Sequence, residues 1–275
     1  MLEKSGYDCR YSSTKKDGWK DFDNEDEMLV IAGGDGTVRR VVAEILKKKL
    51  LDKPERLAIL PFGTANNICR ALRININNHP ATISRWSAGQ QKGYDIGQVF
   101  KVEGEKFFLE SMGFGVFPSL MKKIEKVPKE IIRSADEELD MAVEMMRTIV
   151  LNYRARSCEI EIDEKKRNGK FLLVEIMNTP SIGPRLQLAP NADVGDGFFE
   201  IVMVEEKDRE KFAGYLEKIK NGNDSAPSFP TVKGKNIVVK WEGSDGHVDD
   251  HVIDLKAGET VSVRLRRGML NFVVG

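Results

Sequence analysis

The sequence predicts an α/β chain in two parts, a parallel sheet with crossover helices in the N-terminal third and an antiparallel β-sandwich in the remainder. Three observations carry this. Met28-Leu-Val-Ile-Ala32 is an unbroken apolar run, as in a strand buried on both faces, and it leads through Gly33-Gly34-Asp35-Gly36-Thr37 into a helical period. Leu57-Ala-Ile-Leu60, interrupted by Pro61 and Gly63, repeats the order of strand, glycine turn and helix. Beyond Asp95 the pattern becomes short alternating or β-branched runs separated by turn residues, as in antiparallel sheets.

In chain order, Met1 to Ser5 reads as the end of a helix and Tyr7 to Ser12 as a strand. The opening strand expected of a doubly wound domain therefore reads as missing. After Thr37, the residues Val38, Val41, Val42, Ile45 and Leu46 recur on one helical face, and Ala65 to Leu72 forms a second helix. Strands are expected at 95–100, 106–109, 157–163, 170–177, 198–204, 236–240 and 260–265. One long helix, Ala135 to Asn152, interrupts them with Leu139, Val143, Met146 and Val150 on a single face. Asn221 to Pro230 reads as a linker. The parts divide at 1–94 and 95–275, with a return of the C-terminal end to the first part left open.

Composition narrows the function. The 275 residues carry 43 Lys plus Arg against 43 Asp plus Glu, a balance that excludes nucleic-acid binding by bulk electrostatics. No stretch approaches the roughly 20 apolar residues of a membrane span, and the charged N-terminus lacks a signal-peptide core, so the chain is expected in the cytoplasm. Cys9, Cys69 and Cys158 are odd in number and far apart, and read as small buried side chains.

The glycine turn at 33–37 stands where a strand meets a helix, so its N–H groups and the helix dipole can hold phosphate oxygens. Glycines let the backbone approach a ligand closely, and Thr37 can cap the helix or donate. The turn Pro61-Phe62-Gly63-Thr64-Ala65-Asn66-Asn67 has the same grammar. Neither contains the lysine of a Walker loop or the spacing of a dinucleotide fold.

These two motifs resemble the catalytic domain of diacylglycerol kinases and related lipid kinases. Tyr94-Asp95-Ile96-Gly97, the stretch ending Gly113-Phe114-Gly115, and Leu188-Ala-Pro-Asn-Ala-Asp193-Val-Gly-Asp196-Gly197 follow in the same order as the family's landmarks. The resemblance implies a Rossmann-like nucleotide domain followed by a β-sandwich lipid-substrate domain. It implies ATP as phosphoryl donor, Mg²⁺ bridging its phosphates, and phosphorylation of diacylglycerol or a related lipid. Gly33, Gly34, Asp35, Gly36 and Thr37 would surround the phosphates, with Gly63, Thr64, Asn67 and Thr14 completing the nucleotide wall. Asp35 would also serve the chemistry. Asp193 and Asp196, joined by Asp95, would lie at a regulatory Mg²⁺.

For the general base the resemblance points to Asp245, where the family's Asp-Gly-Glu has become Asp245-Gly246-His247. That change also fits a catalytically impaired nucleotide- or lipid-binding protein with the same fold, and the glycine turn alone is shared with NAD kinases. If the segment continues as a strand, His247, Asp249 and His251 share a face and form a rival transition-metal set. His79 receives no role. A lipid kinase without a membrane span must work from the bilayer surface. Residues 117–133, with Lys122, Lys123, Lys126, Lys129 and Arg133 among apolar side chains, are the expected contact. A homodimer is left open.

Overall fold

The computed structural model describes residues 1–20, 27–47, 56–104, 106–128, 134–184, 186–223 and 229–274. They form two compact units, unit 1 comprising 1–95 and 267–275 and unit 2 comprising 96–266. The first unit thus includes the C-terminal end of the chain.

Unit 1 is built on β1 (Leu29–Gly33) and β2 (Arg56–Pro61), parallel and in register from Leu29 opposite Leu57 to Gly33 opposite Pro61. The end of β13 (Thr260–Val273) continues this parallel sheet, with Asn271 opposite Arg56 and Phe272 opposite Leu57. Leu57 to Pro61 are all buried, which explains the unbroken apolar run. Helices α1 (Asp35–Lys47), α2 (Asn67–Ala71) and α3 (His79–Trp86) accompany the strands. Ala58, Leu60, Ile83, Trp86 and Val273 form a buried cluster. The expected strand at Tyr7 to Ser12 is not formed. Tyr7 instead packs edge-on against Trp86 at 6.1 Å, and the residues after it are largely exposed, so no ladder exists for them to join.

Unit 2 contains the sandwich. Its strands are the end of β3 (Gln91–Phe100), β4 (Phe107–Phe108), β5 (Ser111–Gly115), β6 (Arg156–Ile162), β7 (Lys165–Met177) and β8 (Phe199–Glu205). They continue with β9 (Thr231–Gly234), β10 (Asn236–Trp241), β11 (Asp245–Val248), β12 (His251–Asp254) and the start of β13. Its helices are α4 (Val116–Ile124), α5 (Ala135–Asn152) and α6 (Arg209–Lys220). The long β7 pairs antiparallel with β6, β5 and β8. β8 shows the layering: Ile201 and Met203 enter the strand-lined core, while Val202 and Val204 enter a second core beneath α4, α5 and α6. α6 is not among the elements expected above, although Phe212, Tyr215, Leu216 and Ile219 follow a helical period. At the start of α5, Ser134 accepts the Glu137 N–H at 3.2 Å, and three acidic residues follow in the first turn.

Candidate active site

The parallel register sends both glycine turns off the same carboxyl edge of the unit 1 sheet, and the backbone locks them together. Phe62 N–H donates to the Gly33 carbonyl at 3.1 Å. A Cβ on Gly34 would fall 2.8 Å from Gly63 Cα, and a Cβ on Gly63 only 2.4 Å from Gly34 Cα. Glycine is therefore required at both positions by mutual approach. A Cβ on Gly33 would meet the Thr37 side chain at 2.6 Å, so the first turn folds back over its own glycine.

Asp35 ties the turns a second time. Its Oδ2 accepts the Asn67 N–H and its Oδ1 the Ile68 N–H, both at 3.0 Å, so one turn caps the helix that leaves the other. Asn66, in a left-handed conformation, accepts Gly63 N–H and donates to Gly63 O. Gly36 and Thr37 lie in the first turn of α1, whose Thr37 and Val38 N–H groups reach back to Gly34 O. Thr64 lies between Gly63 and the buried Asn67. His79, given no role by the sequence, donates or shares a proton with Pro61 O at 3.2 Å and meets the exposed Phe62 ring at 4.5 Å. Thr14 sits in a surface turn closed by Lys16 N–H on Ser13 O, and no hydrogen bond of the described residues ties it to the glycine turns.

In unit 2, Asp245 opens β11. Its Oδ1 accepts the Lys122 ammonium of α4 at 2.7 Å and the Ser244 hydroxyl at 3.4 Å. Among the described residues its Oδ2 takes no hydrogen bond, leaving an acceptor for a proton. Asp254, opposite Asp245 across the ladder, lies 3.7 Å from the same ammonium. The Asp245 carboxylate holds the Lys122 ammonium charged above its usual range.

His247 is fully buried. Its Nε2 meets Glu175 Oε1 at 2.8 Å and its Nδ1 meets the Asp249 carbonyl at 2.9 Å. Burial pushes the imidazole down, but Glu175 and the Asp249 carbonyl outweigh it, and the pKa stands above its ordinary value. Gly113 makes the space: a Cβ there would fall 2.0 Å from Glu175 Oε2. Asp249 uses its carboxylate on the N–H groups of Leu109, Glu110 and Ser111, whereas His251 is exposed and paired with Asp250. The rival metal set is therefore not assembled, because a turn at Asp249 separates the histidines and each carboxylate is already engaged. The lone Glu175 in the apolar run Phe171 to Met177 was the sequence's sign of a buried partner.

Asp193 and Asp196 belong to unit 2 and Asp95 to unit 1; among the described residues no three His, Cys, Asp or Glu side chains are grouped as metal ligands. Asp193 accepts Gly195 N–H at 3.0 Å, and Asp196 accepts Phe198 N–H at 2.9 Å. The other Asp196 oxygen binds Lys233 at 2.8 Å, so an ammonium stands where a cation was expected. Asp95, fully buried in unit 1, accepts Gly268 N–H at 2.7 Å and fixes the end of β13. Of the basic stretch, Lys123 and Lys126 are exposed, Lys122 is on Asp245, and Phe117, Leu120, Met121 and Ile124 pack into the helical core. Lys129 and Arg133 lie outside the described residues. No described helix is long and apolar enough to cross a membrane.

The diacylglycerol kinase catalytic domain model matches residues 1–99, and the YegS C-terminal NAD kinase beta sandwich-like domain model matches 128–269. Residues 1–99 belong to the diacylglycerol kinase catalytic-domain family, and the chain, a mixed α/β protein, carries over more than half its length the YegS C-terminal NAD kinase beta sandwich-like domain. It is 26% identical over 221 residues to a diacylglycerol kinase of Bacillus subtilis, covering 77% of this chain and 68% of that protein. A Staphylococcus epidermidis diacylglycerol kinase is 26% identical over 243 residues, covering 86% of this chain and 73% of that protein. The fold is shared with the crystal structure of a Bacillus anthracis diacylglycerol kinase, with TM-score 0.64 and 21% identity over 90% of this chain and 78% of that one.

Proposed function

We propose that this kinase-family protein transfers the γ-phosphoryl group of MgATP to a hydroxyl of diacylglycerol or a related lipid. The observation that carries the reading is the pair of glycine turns, pressed together at Gly34 and Gly63 with the N-terminus of α1 behind them. Such an arrangement suits phosphate oxygens, and Mg²⁺ would arrive with the nucleotide. In the reaction the lipid hydroxyl oxygen bonds to the γ-phosphorus as the bond to the β-phosphate oxygen breaks, with ADP leaving. Asp245 Oδ2 accepts the hydroxyl proton. Lys123 and Lys126, the exposed lysines of the described basic stretch, supply electrostatic contact with an anionic bilayer, while its apolar side chains pack into the core.

Incubation with radiolabelled ATP, Mg²⁺ and a panel of lipids in mixed micelles tests this, with NAD as a further acceptor. Labelled lipid is the expected result; labelled NAD phosphate in its place would redirect the assignment. A second reading has one specific observation behind it. His247, where the family has Glu, is buried on Glu175 and offers nothing to a nucleotide. ATP binding with no labelled product would favour that nucleotide-binding protein without chemistry.

A further inference from the structure

Lys122 belongs to a basic stretch that reads as membrane-facing, yet its ammonium is engaged elsewhere. Asp245 and Asp254 are direct cross-strand partners, and two carboxylates so placed repel one another. Lys122 stands 2.7 Å from the first and 3.7 Å from the second. The helix it reaches from is anchored, because Phe117 is buried with its ring 4.9 Å from that of His247 on β11, and Leu120 is buried behind it. Both partners are part-exposed, so water screens the ion pair and it adds little to stability. Its geometric effect is specific: Oδ1 of Asp245 is held and Oδ2 is left open.

We propose that Lys122 is a positioning residue for phosphoryl transfer, holding the Asp245 carboxylate in the orientation that presents Oδ2 to the lipid hydroxyl. This rests on the reading of Asp245 as the base. As the lipid O–H bond breaks, its proton forms an O–H bond at Oδ2. The oxygen's electron pair goes to the γ-phosphorus, and ADP departs with the pair of the broken P–O bond. The ammonium keeps its protons throughout and remains hydrogen-bonded to Oδ1.

The test compares wild type, Lys122→Met, Lys122→Arg, Asp245→Asn and the double variant Lys122→Met/Asp245→Asn, with melting curves confirming that each is folded. Each is assayed on diacylglycerol in micelles and on a water-soluble short-chain diacylglycerol. Loss of orientation should lower kcat of Lys122→Met about tenfold to a hundredfold on both substrates, with KM for MgATP within about twofold. Lys122→Arg should recover most of kcat, and the double variant should match Asp245→Asn within about twofold, because Lys122 acts only through Asp245. Additive losses, or a defect confined to micelles, overturn the proposal and return Lys122 to the membrane surface. An active wild type with an equally active Lys122→Met overturns it alone. A wild type that labels no lipid overturns the kinase reading beneath it as well.

Discussion

The two units present their chemistry in different material. Unit 1 uses backbone: Gly33, Gly34 and Gly63 are short local features, and their use is steric closeness. Unit 2 uses side chains drawn from far along the chain. His247 meets Glu175 across 72 positions, Lys122 meets Asp245 across 123, and Asp249 meets Leu109 across 140. A backbone-built site is specified by what is absent, a Cβ. A side-chain network is specified by partners that only folding brings together.

The largest effect should come from breaking the backbone contact. In Gly63→Ala the new Cβ meets Gly34 Cα at 2.4 Å, backbone against backbone, and the turns must separate. MgATP affinity, measured by calorimetry, should fall by roughly a hundredfold or more as the phosphate cradle opens. Gly214→Ala, on α6 with open space around it, is the control and should leave affinity unchanged. If both variants bind MgATP normally, the touching turns are not a nucleotide site.

Next in size is the buried pair of unit 2. His247→Ala leaves Glu175 fully buried without its partner, and Glu175 Oε2 already has no hydrogen bond. Breaking such a pair should cost about 3–5 kcal/mol in urea unfolding. The pair also sets a pH dependence. The folded-state pKa of His247 is raised above 6.5, so its contribution is complete below that value and is lost as pH rises through the folded-state pKa. Glu175 from β7 and Asp249 in the following turn are the charged groups facing it. Wild-type stability should therefore decline as pH rises above 6.5 and through the raised folded-state pKa, with that decline absent in His247→Gln. A flat wild-type profile would show that the imidazole carries no extra proton.

This contrast explains what could be read beforehand. β2 and β8 were legible because strands buried on both faces leave continuous apolar runs, and the glycine turns because close approach demands glycine; β1 is a strand as expected, but only Ile31 is buried and Ala32 is exposed, so its apolar run overstated its burial. The pairing of Lys122 with Asp245 was not, since a lysine in a basic stretch looks the same whether it faces water or a distant carboxylate. Tyr7 to Ser12 has strand-like composition, yet a ladder requires a neighbour that composition does not supply. The rival set at His247, Asp249 and His251 failed for a related reason: alternation holds only while the strand continues, and Asp249 turns the chain at φ 50°.

A smaller effect belongs to Asp35, the side chain on which unit 1 does depend. Asp35→Ala removes the acceptor of the Asn67 and Ile68 N–H groups and should cost about 1–2 kcal/mol, the usual loss for a helix cap. Asp35→Asn keeps one acceptor oxygen and should recover part of that stability in the same urea unfolding measurement. Equal stability of wild type and Asp35→Ala would show that the turns are held by their glycines alone.

The smallest expected effect is a null one, and it tests whether unit 2 needs a metal where the family resemblance places it. Lys233 donates to Asp196 at 2.8 Å and lies 3.7 Å from Glu200, its direct cross-strand partner. Hydrogen bonding to Asp196, opposed in part by burial, raises its pKa, so the ammonium stays charged across the working range. A divalent ion would have to displace it from Asp196, and only ions that bind the folded state preferentially raise stability. Nucleotide-free wild type should melt at the same temperature in millimolar Mg²⁺ and in EDTA, within about 1 °C. Lys233→Met withdraws the ammonium from Asp196 and Glu200 together, so in that variant Mg²⁺ should raise the melting temperature. A Mg²⁺-dependent rise in wild type would mean that the 193–197 loop takes the ion despite its lysine; insensitivity of both proteins would mean that the loop holds no cation site even when its carboxylates are released.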